Sequence, residues 1–247
     1  MYVKGGCMNI NVVLDLFFPR YCLDCGTPGG YLCIDCFKKI SLLKSQECPN
    51  CRIKNNTGCF CNSRCGNGFY FDQLITCLSY EKTGLIKKLI VQFKYRFSEE
   101  LADILGRIMK HQFAYFSHCF RENIVIVPVP INKKRLNYRG FNQSFLLARY
   151  IEKNFSGTTE VFDCLAREPD SLQQAKLGRD DRLSNLKDAI GCKDSYKNLL
   201  QNKTVILIDD IATTGSTLNA CAKILKEAGA KYVCGLVLAR GKLFAKI

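Results

Sequence analysis

The sequence contains no hydrophobic run long enough to cross a membrane. Its longest apolar stretch, residues 124–131, is interrupted by two prolines and is far shorter than the roughly 20 residues that a transmembrane helix needs. A second apolar stretch, residues 10–19, is broken by Asp15, and no small-residue cleavage site follows it. A secretory signal is therefore not expected. These absences predict a soluble, cytoplasmic protein without membrane insertion.

Histidine is scarce as well. The chain has two, His111 and His118, and both are expected to be surface residues, where neutral imidazoles that titrate near physiological pH are common. Neither lies in the cysteine-rich part of the sequence, so a metal site there would be held by sulfur alone. The chain also lacks internal repeats and low-complexity segments, which leaves cysteine as its most unusual component.

Ten of the sixteen cysteines lie between Cys7 and Cys65, and most of them form closely spaced pairs. Disulfides in a small secreted domain would be spread more evenly. Two residues between thiolates allow one tight turn to present both sulfurs to a single ion, and two such turns complete a tetrahedron. The asymmetry predicts a metal-binding module of residues 1–69 attached to a larger domain of residues 70–247.

Two four-cysteine sets follow from this spacing. Both would be closed, all-sulfur sites, which is typical of structural zinc. Free thiols, iron–sulfur ligation, a cross-braced pairing of the sets, and Cys59 in place of a later cysteine remain alternatives. The predicted ligands are Cys22, Cys25, Cys33 and Cys36 in the first set, and Cys48, Cys51, Cys61 and Cys65 in the second.

The larger domain alternates apolar strands with amphipathic helices, which is typical of an α/β fold with a parallel sheet covered on both faces. Ligands of such sheets bind at the carboxyl ends of the strands. The pattern predicts strands at 73–80, 123–130, 204–208 and 232–240, and helices at 84–96, 98–116, 141–154 and from about residue 218.

The stretch "TVILIDDIATTGST" (204–217) ends a buried strand with two carboxylates. A short loop with hydroxyl side chains and one glycine then leads into a helix, whose first backbone N–H groups favour a phosphate. The stretch lacks both G-x-x-x-x-G-K-[ST] and G-x-G-x-x-G, so a nucleoside-triphosphate loop and a dinucleotide site are not expected. Carboxylates beside a phosphate cradle suit vicinal ribose hydroxyls, and Mg²⁺ can share such a site.

This stretch resembles the phosphoribosyl-pyrophosphate (PRPP) motif of type I phosphoribosyltransferases. The resemblance implies that Asp209 and Asp210 hold the ribose hydroxyls, and that Mg²⁺ and PRPP or ribose 5-phosphate are the ligands. It also implies that the loop wraps the 5′-phosphate. The loop residues are Ile211, Ala212, Thr213, Thr214, Gly215, Ser216 and Thr217.

Two further segments resemble the ComF competence-protein family. One is "VPVPINKKRLNYRGFNQSFLLAR" (127–149), and the other is "LAREPDSLQQAKLGRDDRLSNLKDAI" (165–190), in which Ser171 and Ile190 depart mildly from the family pattern. The family resemblance covers nearly the whole chain. It implies a type I phosphoribosyltransferase fold with an N-terminal zinc module, and a role in DNA uptake during natural transformation. Single-stranded DNA and a competence helicase are the implied partners.

The resemblance also implies a chemistry, the displacement of pyrophosphate from PRPP by an acceptor. A basic run after the strand at 123–130 is expected to form a pyrophosphate loop, with a solvated basic loop as the alternative. Arg139 is assigned a catalytic role with the two acids. The segment 167–182 suits either a mobile lid or an ordinary surface loop. The substrate-binding candidates here are Lys133, Arg135, Gly140, Asn142, Gln143, Arg167, Gln174 and Arg182.

Two non-catalytic alternatives remain open, a single-stranded-DNA-binding protein and a PRPP sensor. Half of the net charge of +14 falls in residues 76–160, which suits a polyanionic partner. Scattered aromatic side chains could stack on bases, although each could equally belong to the core. These candidates are Phe93, Tyr95, Phe97, Tyr138 and Phe141.

Overall fold

The computed structural model describes residues 20–80, 84–95, 99–120, 123–155, 159–167 and 190–241. A five-stranded parallel sheet forms the centre of the fold, in the order β3-β9-β8-β4-β5. Its strands are β3 (Gln73–Leu78), β4 (Ile124–Pro128), β5 (Glu160–Val161), β8 (Thr204–Ala212) and β9 (Tyr232–Arg240). Two antiparallel ribbons lie outside this sheet: β1 (Gln46–Glu47) with β2 (Lys54–Asn55), and β6 (Leu165–Arg167) with β7 (Ile190–Cys192).

The helices of the described residues range from one turn to five turns. The longer ones are α3 (Leu85–Tyr95), α4 (Glu99–Phe116), α6 (Gln143–Asn154) and α8 (Ser216–Glu227). The shorter ones are α1 (Ile34–Lys38), α2 (Ser63–Gly66), α5 (Lys133–Arg139) and α7 (Asp194–Lys197), with 3-10 turns at Ser117–Cys119 and Asn198–Leu200. In the described part of the chain, none of these helices is long and apolar enough to traverse a bilayer.

Both faces of the sheet are buried, which explains why its strands are apolar without interruption. Successive side chains of a strand point to opposite faces, and β8 shows this directly. Ile206 and Ile208 join a core formed with α3, α4 and α6, whereas Val205 and Leu207 join a second core beneath α8. The parallel α/β fold predicted from the alternating pattern is confirmed.

The N-terminal segment lies along the outer edge of β3. Leu43 N–H donates to the Cys77 carbonyl at 2.9 Å, and the buried Gln46 side chain both accepts from Thr76 N–H (2.7 Å) and donates to the Thr76 carbonyl (3.1 Å). Further along, Leu74 N–H donates to the Gly58 carbonyl at 2.9 Å. The segment therefore pairs a sheet edge that would otherwise present unpaired backbone groups.

Three local expectations differ from the structure. The strand predicted at 204–208 extends to Ala212, because β9 continues to pair with it as far as Arg240 after β4 has left. The following helix begins at Ser216, two residues before the expected start. The basic run is not a loop: it forms α5, which Asn132 caps at its N-terminus and Gly140 ends in a left-handed conformation.

Candidate functional site

A pocket of about 420 Å³ opens at the carboxyl ends of β4 and β8. Their pairing ends at Pro128 and Ile208, and the two chains then diverge. The chain after β4 turns towards β5, whereas the chain after β8 turns towards β9 on the opposite side. Crevices of this kind, where the strand order reverses, are the usual ligand sites of open parallel sheets.

Two carboxylates form the floor of the pocket. Asp209 accepts from Ser144 Oγ at 3.1 Å and from the Asp210 backbone N–H at 2.9 Å. Asp210, which is only 8% exposed, forms an ion pair with Lys94, with 2.9 Å between Nζ and Oδ2. Desolvation by burial, together with the neighbouring negative charge of Asp210, raises the pKa of Asp209 to about 7.

The loop after β8 leads directly into the N-terminus of α8. Gly215 precedes the helix with a φ of 79°, a left-handed conformation that favours glycine. The first helical N–H, that of Ser216, donates to Thr214 Oγ1 at 3.3 Å. Thr213, Thr214 and Ser216 are exposed. Exposed hydroxyls beside the backbone N–H groups at the positive end of a helix dipole are suited to a phosphate.

Cationic side chains line the pocket together with the acids. They are Lys94, Arg135, Arg139 and Arg167, so within the described residues the lining carries more positive than negative formal charge. Arg139 Nη1 donates to Gln143 Oε1 at 3.0 Å, and Arg167 Nε donates to the Pro130 carbonyl at 3.0 Å. The pocket thus presents carboxylates to a neutral or hydroxylated group and cations to an anionic one.

The structure brings together most of the site residues predicted from the sequence. Those that line the pocket are Asp209, Asp210, Ile211, Thr213, Thr217, Arg135, Arg139, Asn142, Gln143 and Arg167. The other predicted residues of the loop are adjacent in the chain and do not line the pocket: Ala212, Thr214, Gly215 and Ser216. Lys133 and Gly140, at the two ends of α5, are exposed and also lie outside the lining. Gln174 and Arg182 lie outside the described residues.

Sequence reasoning missed four polar residues of the pocket, Tyr80, Lys94, Asn132 and Ser144. Lys94 comes from α3, more than a hundred residues before the acid that it pairs with, and no motif marks it. Ser144 directly follows the "RGFNQ" element, and its position on the first turn of α6 could have suggested a role. Asn142 lines the pocket and also has a structural role, because its side chain caps α6 through Ser144 N–H (3.1 Å) and donates to the Val129 carbonyl (3.1 Å).

The cysteine-rich segment holds two clusters of thiols. Within each cluster the four sulfur atoms lie within 4.8 Å of one another. The first cluster is Cys22, Cys25, Cys33 and Cys36, and the second is Cys48, Cys51, Cys61 and Cys65. Each cluster therefore combines cysteine pairs that are neighbours in the sequence. The pairs do not alternate between the two clusters, as they would in a cross-braced arrangement. Cys59 lies apart, with its sulfur 4.0 Å from Tyr232 Oη.

The sulfur spacings fit a tetrahedral metal. Zinc–sulfur bonds of about 2.3 Å place the sulfurs of a tetrahedron roughly 3.8 Å apart. The distances are 3.7 Å between Cys25 and Cys33, 3.5 Å between Cys51 and Cys61, and 3.3 Å between Cys61 and Cys65. All described cysteines are free thiols rather than disulfides. Both clusters could hold a metal ion.

The two histidines and the aromatic residues proposed to stack on bases differ in their exposure. His111 and His118 are both exposed, as predicted. Phe93 and Phe141 are buried in the core, with their ring centroids 5.9 Å apart, and cannot stack on a base. Tyr95 and Tyr138 are 63% and 76% exposed. Phe97 lies outside the described residues.

Part of the chain matches a known family of protein domains. Residues 147–242 match the phosphoribosyl transferase domain, a range that contains β8, the acid pair, the phosphate-cradle loop and β9. Together with the parallel sheet, this match confirms the phosphoribosyltransferase fold.

Characterised relatives match over most of the chain. Competence protein F of Haemophilus influenzae is 28% identical over 85% of this chain and 97% of its own length. Competence protein ComFC of Bacillus subtilis is 27% identical, over 82% of this chain and 80% of its own. The DNA utilization protein YhgH of Escherichia coli is 27% identical, over 66% and 70% respectively. These matches confirm the resemblance to the ComF competence proteins.

Solved structures give a more distant match. A purine phosphoribosyltransferase from Pyrococcus horikoshii is 14% identical and matches 61% of this chain and 80% of its own with a TM-score of 0.32. A hypoxanthine phosphoribosyltransferase from Staphylococcus aureus is 15% identical, over 67% and 79%, with a TM-score of 0.34.

Proposed function

We propose that this relative of the ComF competence proteins binds PRPP or ribose 5-phosphate in the pocket between β4 and β8, and that it acts in the cytoplasm in DNA uptake during natural transformation. The role in DNA uptake is taken from the relatives, which are named as competence and DNA utilization proteins. The ligand is taken from the pocket, where one site combines a carboxylate pair, a helix N-terminus with exposed hydroxyls and several cationic side chains.

The juxtaposition of Asp209 and Asp210 with the loop at 211–217 is the observation that carries the ligand assignment. A carboxylate accepts hydrogen bonds from two vicinal hydroxyls, and backbone N–H groups at a helix N-terminus bind a phosphate. Ribose 5-phosphate carries both groups at the two ends of one small molecule. The cations Arg135, Arg139 and Lys94 would then neutralise the pyrophosphate that PRPP carries in addition.

The two acids also fit Mg²⁺, since carboxylate oxygens are its usual protein ligands. Asp209 and Asp210 would hold Mg²⁺, and its charge would offset part of the negative charge of the phosphates. The pocket residues would position the ribose and exclude water from its anomeric carbon. Whether an acceptor then displaces pyrophosphate is the enzymatic form of the proposal, and the PRPP sensor is its non-catalytic form.

Calorimetric titration tests the ligand assignment. The wild type should bind PRPP in the presence of Mg²⁺, and the double variant Asp209→Asn/Asp210→Asn should bind at least about tenfold more weakly, because charged hydrogen bonds contribute about 1.5–3 kcal/mol each. Asp103→Asn, an exposed acid on α4 outside the pocket, is the matched control and should bind as the wild type does. Equal affinities of the wild type and the double variant would refute the ribose assignment.

Turnover is tested separately by measuring pyrophosphate release from PRPP with bases, amines and nucleic acids as acceptors. Release that depends on one acceptor class and is lost in Arg139→Ala would establish the enzyme and the role of Arg139. Tight PRPP binding without release for any acceptor would favour the sensor.

A second candidate function is single-stranded DNA binding beside the pocket. Exposed Lys133, Lys134 and Arg135 share α5 with the exposed Tyr138, whose ring meets that of Tyr95 edge-on at a centroid distance of 6.3 Å. Cations that follow a phosphate backbone next to exposed aromatic rings are typical of such sites. A competence helicase that delivers the strand is the partner that the ComF resemblance implies.

Fluorescence anisotropy with a labelled oligothymidine measures this function. Affinity should fall steeply as salt rises, and Lys133→Ala/Lys134→Ala should flatten that dependence because two phosphate contacts are lost. Lys38→Ala/Lys39→Ala, two exposed lysines of the N-terminal segment, is the control of equal charge. Equal salt slopes for the two double variants would count against this site.

A further inference from the structure

The two cysteine clusters share one backbone feature but fill it with different residues. In each cluster the first Cys-x2-Cys turn is followed by a residue with positive φ, Gly26 at 76° and Arg52 at 65°. Glycine is the usual choice for this left-handed conformation, because a side chain makes it unfavourable. Arg52 therefore occupies a position that the turn alone would assign to glycine.

The side chain of Arg52 extends from this turn to the edge of the pocket. Its Nη2 donates to the Thr213 carbonyl at 3.3 Å and to the Gly241 carbonyl at 3.0 Å. Thr213 belongs to the phosphate-cradle loop and, with Gly241, lines the pocket. Gly241 N–H in turn donates to the Ala212 carbonyl at 2.8 Å. One guanidinium thus connects the ends of β8 and β9 to the second cluster.

A second arginine, at the end of β9, is hydrogen-bonded to the turn that carries the cysteines. Arg240, at the end of β9, donates through Nη1 to the Cys48 carbonyl at 3.3 Å and through Nη2 to the Pro49 carbonyl. Its side chain is 7% exposed. Glu47 lies near both guanidiniums. Its Oε2 is 3.4 Å from Arg52 Nη1 and 4.0 Å from Arg240 Nη1. The turn that supplies two sulfur ligands is therefore hydrogen-bonded to the strand end beside the phosphate-cradle loop.

The first cluster is anchored elsewhere. Lys88 on α3 donates to the Leu23 carbonyl at 3.1 Å, and Glu100 on α4 accepts from Tyr31 N–H at 2.7 Å and from Arg20 at 2.6 Å. Lys88 and Glu100 do not line the pocket. The chain thus offers two four-cysteine clusters, of which the second is connected to pocket-lining residues through the adjacent Arg52.

We propose that Arg52 is a positioning residue for the phosphate-cradle loop, and that it couples metal in the second cluster to ribose-phosphate binding. The inference rests on the proposed function, because it assigns a regulation to the same pocket. Metal fixes the turn from Cys48 to Cys51, the turn fixes Arg52, and Arg52 holds Thr213 in the position that presents the loop to a phosphate. Coupling between two binding sites is reciprocal, so ribose 5-phosphate also stabilises metal in the second cluster.

The variant Arg52→Gly separates positioning from folding. Glycine suits the left-handed backbone, so the variant should keep its metal and its unfolding temperature while binding ribose 5-phosphate about tenfold more weakly, a coupling of the usual size. Lys88→Ala, which removes a comparable contact to the first cluster, is the matched control and should bind as the wild type does. Equal affinities of the wild type and Arg52→Gly would overturn the positioning role. No binding of ribose 5-phosphate by the wild type would instead refute the proposed function.

Zinc release tests the coupling without any variant. The protein loaded with zinc is mixed with a chromogenic chelator, and the two release phases are followed with and without ribose 5-phosphate. Cys25→Ser and Cys51→Ser assign each phase to a cluster. Ribose 5-phosphate should slow release from the second cluster and leave the first unchanged. Equal slowing of both phases, or of neither, in protein that binds ribose 5-phosphate would overturn the coupling.

Discussion

At the scale of single residues, Asp209 is the most unusual group of the pocket. It lies beside another carboxylate, accepts two hydrogen bonds, and has its pKa raised to about 7 by burial and by Asp210. Lys94 acts in the opposite direction and lowers the pKa of Asp209. A carboxyl group held close to the pH of the cell can change its charge when a ligand or a cation arrives, which is typical of functional sites.

The pH dependence of stability tests this environment. Between pH 4 and 7 the folded protein retains a proton on Asp209 that the unfolded chain has lost, so the contribution of Asp209 to stability falls as pH rises through this window. Asp209→Asn preserves an oxygen for Ser144 and for Asp210 N–H but cannot ionise. Its free energy of unfolding should exceed that of the wild type by at least about 1 kcal/mol above pH 7. The reason is that each tenfold change in the proton affinity of a group between the folded and unfolded states corresponds to about 1.4 kcal/mol.

Denaturant unfolding of both proteins from pH 4 to 8 measures the difference. The advantage of Asp209→Asn should shrink towards zero as pH approaches 4. Asp103→Asn controls for the loss of one exposed surface charge. A constant difference between Asp209→Asn and the wild type across this range would show that Asp209 titrates normally.

At the scale of secondary structure, the sequence predicted the elements whose burial pattern is simple, one apolar face for a helix and two for a central strand. α3 and α4 show helical spacing of apolar residues, and β9 was predicted with its observed bounds, because burial dictates these patterns. Elements whose bounds depend on pairing with another part of the chain were predicted less well. β8 continues to Ala212 because β9 pairs with it. The basic run was missed for a local reason, since caps at Asn132 and Gly140 make it a short helix without a buried face.

The contact between α4 and α6 depends on one small residue. Gly106 lies on the buried face of α4, and a Cβ built there would clash with the ring of Tyr150. Gly106→Ala should therefore lower the free energy of unfolding by about 1–3 kcal/mol, the usual effect of overpacking. In a Tyr150→Ala background the same replacement should be nearly neutral, because the clashing ring is gone.

Urea unfolding of the four proteins in this cycle gives the coupling energy directly. A loss of stability that is the same in both backgrounds would mean that Tyr150 does not set the distance between the two helices.

At the scale of the whole molecule, the cysteine-rich segment is in contact with the central sheet and its core. It pairs the β3 edge through Leu43, Gln46 and Gly58, and its apolar side chains pack against the main core. The spacing of the cysteine pairs predicted which cysteines come together in each cluster, because short spacing already constrains where sulfurs can lie. The docking of the segment could not be predicted, since it depends on contacts such as Arg52 with Thr213 that join residues 161 positions apart.

Metal analysis tests the structural role of these clusters. The purified protein should contain two zinc ions per chain, and Cys25→Ser or Cys51→Ser should each reduce this to about one. Prolonged chelation should expose the β3 edge and lead to aggregation, because the bound metal stabilises a segment too small to fold alone. Visible absorption typical of iron–sulfur clusters, or a folded protein without metal, would contradict the zinc assignment.

The central claim is that the pocket between β4 and β8 binds a ribose phosphate through its two acids and its phosphate-cradle loop. A crystal structure of the protein with ribose 5-phosphate tests it most directly. We predict phosphate oxygens within hydrogen-bond distance of the backbone N–H groups at 213–217, and ribose hydroxyls on Asp209 and Asp210. A ligand bound elsewhere, or bound with its phosphate on α5 and its ribose away from the acids, would contradict the account.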